Sequence, residues 1–155
     1  MTDTLTQAKL DHPHISEAEW RLMRVVWTQP GITSRQLIDI LSASTDWKVG
    51  TIKSLLSRLI QKGYLDKAQD TSPFQFHATI SQEEAALGRL QAALEPICTK
   101  SRARYLAHLL ATNPLSQADC QALIDQLQEQ IKTAPQAVAC QCPSGACQCH
   151  HHHAS

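Results

Sequence analysis

The chain has 155 residues, and its 14 Lys+Arg are balanced by 14 Asp+Glu, so the formal net charge is zero. That length holds one domain or two small ones and excludes large catalytic architectures such as the (β/α)8 barrel, which needs about 250 residues. Charge balance excludes a polybasic coat for nucleic acid, so any attraction to DNA or membrane has to come from local patches, and aromatics at 5% disfavour a stacking platform for single strands.

Residues 1–14 are polar and acid-containing, with no apolar stretch behind a basic start, so no secretory signal is expected. No run approaches the ~18 apolar residues of a membrane span. The expected localisation is cytoplasmic, with no membrane partner, and there thiols stay reduced. From 14 to 29, Ile15, Ala18, Leu22, Val25 and Val26 recur at helical spacing, with Trp20 and Trp27 nearby. Ser16 followed three residues later by Glu19 is a capping-box signature, and Pro30-Gly31 ends the helix. A second helix is predicted from Ser34 to Ser42, and a third from about Trp47 to Lys62, with Gly63 at the C′ position. Three helices with short connectors, the last two joined by the polar turn 42–46, predict a helix-turn-helix.

The next two segments, 64–68 and 74–80, read as strands. In the second, Phe74, Phe76, Ala78 and Ile80 alternate strictly with Gln75, His77 and Thr79, the period of a half-buried strand. The turn-rich connector 69–73 makes the pair a hairpin, which is the wing of a winged helix-turn-helix domain. Ser81 with Glu84 is another capping box, opening a helix with Leu87, Leu90, Leu94 and Ile97, which Pro96 should kink or restart. A basic, apolar-backed helix runs on to about Thr112, Asn113-Pro114 breaks it, and Ser116 with Asp119 caps a last helix. The one-sided stripe of that last helix, Cys120, Leu123, Leu127 and Ile131, is best covered by a second copy of the chain. Residues 133–155 show no periodicity and read as a flexible tail.

The third helix turns Val49, Ile52, Leu55, Leu56, Leu59 and Ile60 toward the core, and Gly50, Thr51, Ser54, Ser57, Arg58 and Gln61 away, with Lys48, Lys53 and Lys62 near the flanks. Four cations without an anion make a local positive patch in a neutral chain. Small polar residues admit base edges, Arg pairs bidentately with guanine, and Thr can offer its methyl to thymine. A merely solvated basic face is the alternative for the helix alone. The wing favours DNA, since Lys67 beside a reading helix adds a phosphate contact; Arg24 and Arg35 are further candidates.

Six cysteines fall into two groups. Cys98 and Cys120 are isolated and read as packed, inert thiols, whereas Cys140, Cys142, Cys147 and Cys149 form a C-x-C-x4-C-x-C cluster. Four thiolates suit tetrahedral Zn²⁺, and the softer Cu⁺ favours the same sulfurs, often with fewer per ion. A redox-active or disulfide-closed tail is the alternative, disfavoured in a cytosolic setting where thiols stay reduced. His150 to His153 follow directly, as extra ligands or as an appended tag, and are not counted as required.

The run Trp47-Lys48-Val49-Gly50-Thr51-Ile52-Lys53-Ser54-Leu55-Leu56-Ser57-Arg58-Leu59-Ile60-Gln61-Lys62-Gly63-Tyr64-Leu65 resembles the W-x-x-x-T-I-x-x-L-L-x-R-L-x-x-K-G-x-L signature of the penicillinase-repressor family, and the Trp20 and Trp27 helix resembles that family's first helix. The likeness runs from about residue 14 to 132. The tail CQCPSGACQC is similar to the CopY-type copper-responsive branch, while the β-lactam-responsive branch lacks it. The resemblance implies Thr51, Ser54 and Arg58 on the recognition face, a dimer made by the last helices, and a TACA-n2-TGTA operator.

The fold expected is mainly α with a small β-hairpin: a winged helix-turn-helix domain over 14–81, a helical dimerisation domain over 82–132 and a flexible metal-binding tail over 133–155. The function expected is a homodimeric, metal-responsive transcriptional repressor. It binds double-stranded DNA in a Zn²⁺ form and is released when Cu⁺ replaces Zn²⁺ at Cys140, Cys142, Cys147 and Cys149, derepressing copper-homeostasis genes; a copper chaperone is the natural Cu⁺ donor. The alternatives are a repressor of the same fold sensing another thiophilic metal, and a thiolate metal buffer or chaperone. An enzyme is not expected, because no paired acids, Ser/His/Asp set or Gly-rich phosphate loop can be placed.

Overall fold

The computed structural model describes residues 14–149; the readings made on 1–13 and on His150 to His153 lie outside it. Among the described residues are six helices and a three-stranded antiparallel sheet: α1 (Glu17–Thr28), β1 (Ile32–Thr33), α2 (Ser34–Ser44), α3 (Val49–Gln61), β2 (Leu65–Ala68), β3 (Gln75–Ala78), α4 (Gln82–Leu94), α5 (Thr99–Thr112) and α6 (Gln117–Ile131). The order α1, α2, α3 and hairpin is the winged helix-turn-helix expected. The chain divides between Ala92 and Ala93 into two compact units.

In the first unit one core gathers Leu22, Met23 and Val26 of α1, Ile32, Leu37 and Leu41, Ile52, Leu55, Leu56 and Leu59 of α3, Leu65 and Phe76. Truncating such side chains to Ala costs about 2–5 kcal/mol each. The sheet runs β1-β3-β2, with Leu65 opposite Ala78 and Lys67 opposite Phe76, and β1 adds Ile32 opposite Phe76. That third strand was not anticipated: two residues are too short to show a period, and Gly31, at φ +83, turns the chain into it. Phe76 is buried, whereas Phe74, expected on the same inner face, is 44% exposed beneath the Lys67 ammonium, 4.2 Å from the ring centre. Val49 and Ile60, expected in the core stripe, are 46% and 37% exposed, because they sit at the edges of the arc that α3 buries. The Trp27 indole N–H donates to the Ile80 carbonyl at 2.8 Å, tying α1 to the end of the hairpin.

Helix ends follow the sequence closely. Ser81 and Glu84 complete a reciprocal capping box at α4, as do Ser116 and Asp119 at α6. Past α3, Gly63 stands at φ +81; its N–H donates to the Ile60 carbonyl and that of Tyr64 to the Leu59 carbonyl, a Schellman closure that needs the left-handed residue. At α1 only half of the expected box forms. Ser16 Oγ accepts from the Glu19 N–H, but the Glu19 carboxylate turns inward to Lys62 Nζ, at 2.9 and 2.8 Å.

Glu19, 2% exposed, is the one buried charged side chain among the described residues. Lys62 donates its third hydrogen bond to the His14 carbonyl at 3.1 Å. The ammonium is therefore fully engaged, and the pair fixes α1 against the end of α3. Arg89 of α4 pairs with Glu17 and lies over the Trp20 ring.

In the second unit Pro96 separates α4 from α5, a restart rather than a kink. No residue of α5 or α6 is buried. Tyr105, Leu106, Leu109 and Leu110 on α5, and Ile124, Leu127 and Ile131 on α6, stand between 43% and 74% exposed.

Removing the Lys62 charge leaves Glu19 buried without its partner. Lys62→Met is expected to lower unfolding free energy by about 2–3 kcal/mol, below the about 3–5 kcal/mol of a fully buried broken pair because solvent reaches the lysine. Urea denaturation reads this, and an unchanged midpoint would show that the pair holds nothing.

Candidate nucleic-acid face and thiolate cluster

Two candidate sites emerge, one in each unit. On α3 the buried residues Ile52, Leu55, Leu56 and Leu59 fix the helix's rotation about its axis. Fixed that way, Lys48, Gly50, Thr51, Lys53, Ser54, Ser57, Arg58 and Lys62 are all exposed, as is Lys67 on β2. Thr51, Ser54 and Arg58 follow one another at i, i+3 and i+7, so they form one file along the outer face. Lys48 is the N-cap residue, beside the positive end of the helix dipole. The Ser54 hydroxyl donates to the Gly50 carbonyl at 3.0 Å, leaving its lone pairs outward. Gly50 has open space where a Cβ would stand, so neither packing nor backbone conformation requires glycine there. Lys62 differs from the other cations because its ammonium faces Glu19.

The second site collects sulfur. The tail residues 140–149 turn back on themselves through Gly145, at φ +81, with the Ala146 N–H donating to the Pro143 carbonyl. In each C-x-C pair the N–H of the second cysteine donates to the sulfur of the first, at 3.4 Å. Cys140 Sγ lies 3.4 Å from Cys147 Sγ and 3.6 Å from Cys149 Sγ, and Cys142 Sγ lies 3.8 Å from Cys149 Sγ.

Cys98 joins them. Its sulfur stands 3.1 Å from that of Cys149 and 3.7 Å from that of Cys140. The group whose sulfurs all lie within 4.8 Å of one another is Cys98, Cys140, Cys142 and Cys149, with Cys147 at its edge. The inert-thiol reading of Cys98 is thus corrected. An isolated cysteine reads from sequence as a small packed hydrophobe. The informative signal was Pro96: a cysteine just past a helix restart sits at a helix N-terminus, where thiolates are stabilised. Cys120 is exposed and remains outside the cluster. The described part of the tail is also tied down by the Thr99 hydroxyl, which donates to the Ala139 carbonyl at 2.7 Å.

These contacts redistribute protons. A hydrogen bond from Cys149, then the Lys100 backbone N–H, holds the Cys98 thiol down to about 6. The Cys142 thiol is pushed up to about 12, first by Cys98 and then by Cys140; Cys149 is pushed up as well, first by Cys98. The Cys149 backbone N–H, followed by the Cys140 sulfur, lowers Cys147. Cys142 and Cys149 therefore hold their protons more tightly than Cys98 does.

The donor set suits a soft metal. Four sulfurs at about 2.3 Å from a tetrahedral centre stand about 3.8 Å apart; the sulfur pairs in hydrogen-bonding contact stand 3.1 to 3.8 Å apart, and the four-sulfur group lies within 4.8 Å. All six cysteines are free thiols. No described helix is long and apolar enough to cross a membrane.

Comparison with known proteins places the chain among relatives. The family model described as Penicillinase repressor matches residues 15–129. An uncharacterized 16.5 kDa protein of the ptsI 3′ region in Latilactobacillus sakei is 37% identical over 135 residues, covering 87% of this chain and 92% of that protein. The methicillin resistance regulatory protein MecI of Staphylococcus aureus strain N315 is 30% identical over 70 residues, 45% of this chain and 57% of MecI, so the chain spans little more than half of that relative. The solution structure of monomeric Bacillus licheniformis BlaI with the blaP half-operator is 32% identical, with a TM-score of 0.44, over 48% of this chain and 90% of that one. With the family pattern running through both units of the fold, the chain belongs to the penicillinase repressor family of transcriptional repressors.

Proposed function

We propose that this repressor is metal-responsive and of the CopY type: a homodimer that grips a short palindromic operator of the TACA-n2-TGTA kind with Zn²⁺ on its thiolates and releases it when Cu⁺ takes them. The observation that carries the reading is the gathering of reduced sulfurs in a chain whose first unit presents a basic, small-residue helix face.

On the DNA side, α3 lies in the major groove. Arg58 pairs with a guanine edge, Thr51 and Ser54 meet neighbouring bases, and Gly50 allows the backbone close. Lys48, Lys53 and the wing's Lys67 take phosphates, with Ser57, Arg24 and Arg35 as further contacts. Lys62 leaves this set because Glu19 holds its charge. A second copy of the chain covers the exposed apolar faces of α5 and α6, and two-fold symmetry then sets two reading helices about one helical turn apart.

On the metal side, Cys140, Cys142, Cys147 and Cys149 hold the ion, which when bound neutralises and cross-links the thiolates. Taking operator occupancy from 99:1 to 1:99 needs about 5.5 kcal/mol of differential binding, and by linkage Cu⁺ must then favour the DNA-free form. A repressor of the same fold answering another thiophilic ion is the second reading, favoured by separations that also suit a tetrahedral dication.

Arg58→Ala is expected to weaken operator binding by about 1–3 kcal/mol and to relax base preference at one position; unchanged binding in a salt-matched titration would remove it from the reading face. Gly50→Ala is expected to leave thermal stability equal or higher while weakening operator binding, since Ala favours the helix by up to about 1 kcal/mol. Equal affinity would mean that the backbone does not approach the bases. Serine at Cys140, Cys142, Cys147 and Cys149 together should leave a folded dimer that Cu⁺ no longer releases from DNA. Release of that variant by copper would place sensing elsewhere.

A further inference from the structure

We propose that Cys98 is itself a ligand of the metal site, standing with Cys140, Cys142 and Cys149 in the place the spacing pattern gives to Cys147, so that an ion held by the tail's cysteines is bonded at the same time to the start of α5. The inference rests on the metal-binding reading above and extends it to a residue outside the C-x-C-x4-C-x-C pattern.

Its sulfur stands closer to Cys149, at 3.1 Å, than any two tail sulfurs stand to each other among the contacts given above, and it completes the four-sulfur group that Cys147 does not enter. Its backbone is braced. Arg102 Nε donates to the Ile97 carbonyl at 3.0 Å, and Arg102 Nη2 reaches the Glu95 carbonyl at 3.5 Å, so the connector 95–98 is held from α5. The Thr99 to Ala139 hydrogen bond meets the tail one residue before Cys140. A ligand at Cys98 therefore joins an anchored helix start to sulfurs 42 and 51 residues further along the chain. With only tail ligands, metal exchange would rearrange a tail and nothing else. With Cys98 in the set, exchange pulls on the connector just past the point where the chain leaves its first unit.

The test uses the full-length reduced protein. Each cysteine's rate of alkylation by N-ethylmaleimide is mapped with and without Zn²⁺, and again with Cu⁺. Protection of Cys98 by at least about tenfold, in step with Cys140 and Cys149 and with Cys120 unchanged, is expected. Co²⁺ titration is the second measurement: Cys98→Ser should lose about a quarter of the thiolate-to-cobalt charge-transfer intensity per ion and bind about 10-fold or more weakly, with helical content unchanged. Protected tail cysteines beside an unprotected Cys98, with full charge-transfer intensity in Cys98→Ser, would overturn the inference and leave the metal reading standing. No protection of any cysteine by either ion would overturn both.

Discussion

The whole account depends on the fixed rotation of α3. Ile52, Leu55, Leu56 and Leu59 have places only in the core shared with α1, α2 and the sheet, and turning the helix would expose them at about 1.5–3 kcal/mol apiece. The far end is held twice over, by the Schellman closure at Gly63 and by the Glu19–Lys62 pair. What remains outward is then settled by helical geometry: a file of small polar residues and one arginine, flanked by lysines. A neutral protein gains a basic edge in this way because the anions lie on other elements.

The second unit is organised by different physics. Its helices bury none of their residues, and their apolar faces stand open. What draws the tail back is a set of thiols within van der Waals reach of one another and one hydroxyl-to-carbonyl hydrogen bond. Such a cluster concentrates charge that protons or a soft cation must balance, and a cation balances it more completely because every sulfur can share the same ion.

Much of this was legible in the residues. Helical periodicity, three cap signatures and Gly63 located the helices to within a few residues, and strict alternation found β3. Three of the failures share a cause, a partner distant in sequence. Glu19 reads locally as a cap, but Lys62, 43 residues on, takes its carboxylate. β1 exists only because Phe76 and Gln75 lie opposite it. Val49 and Ile60 match the period yet fall at the rim of the buried arc. Cys98 reads alone as a packed thiol, and only the tail's return from 42 residues away shows what its sulfur faces. The exposed face of α3 was readable because it is what one helix leaves after burial; the composition of the sulfur cluster was not, because it is assembled across the unit.

The central claim is that the thiolates of the second unit govern the grip of α3 on a duplex. Operator affinity of the intact chain, measured at one fixed salt concentration with Zn²⁺ loaded and then after exchange to Cu⁺, tests it most directly, since affinity for DNA has meaning only at stated salt. The account predicts a fall of at least about a hundredfold on exchange, reversed when Cu⁺ is withdrawn and Zn²⁺ restored. Equal affinity in the two metal forms, with both ions demonstrably bound, would contradict it.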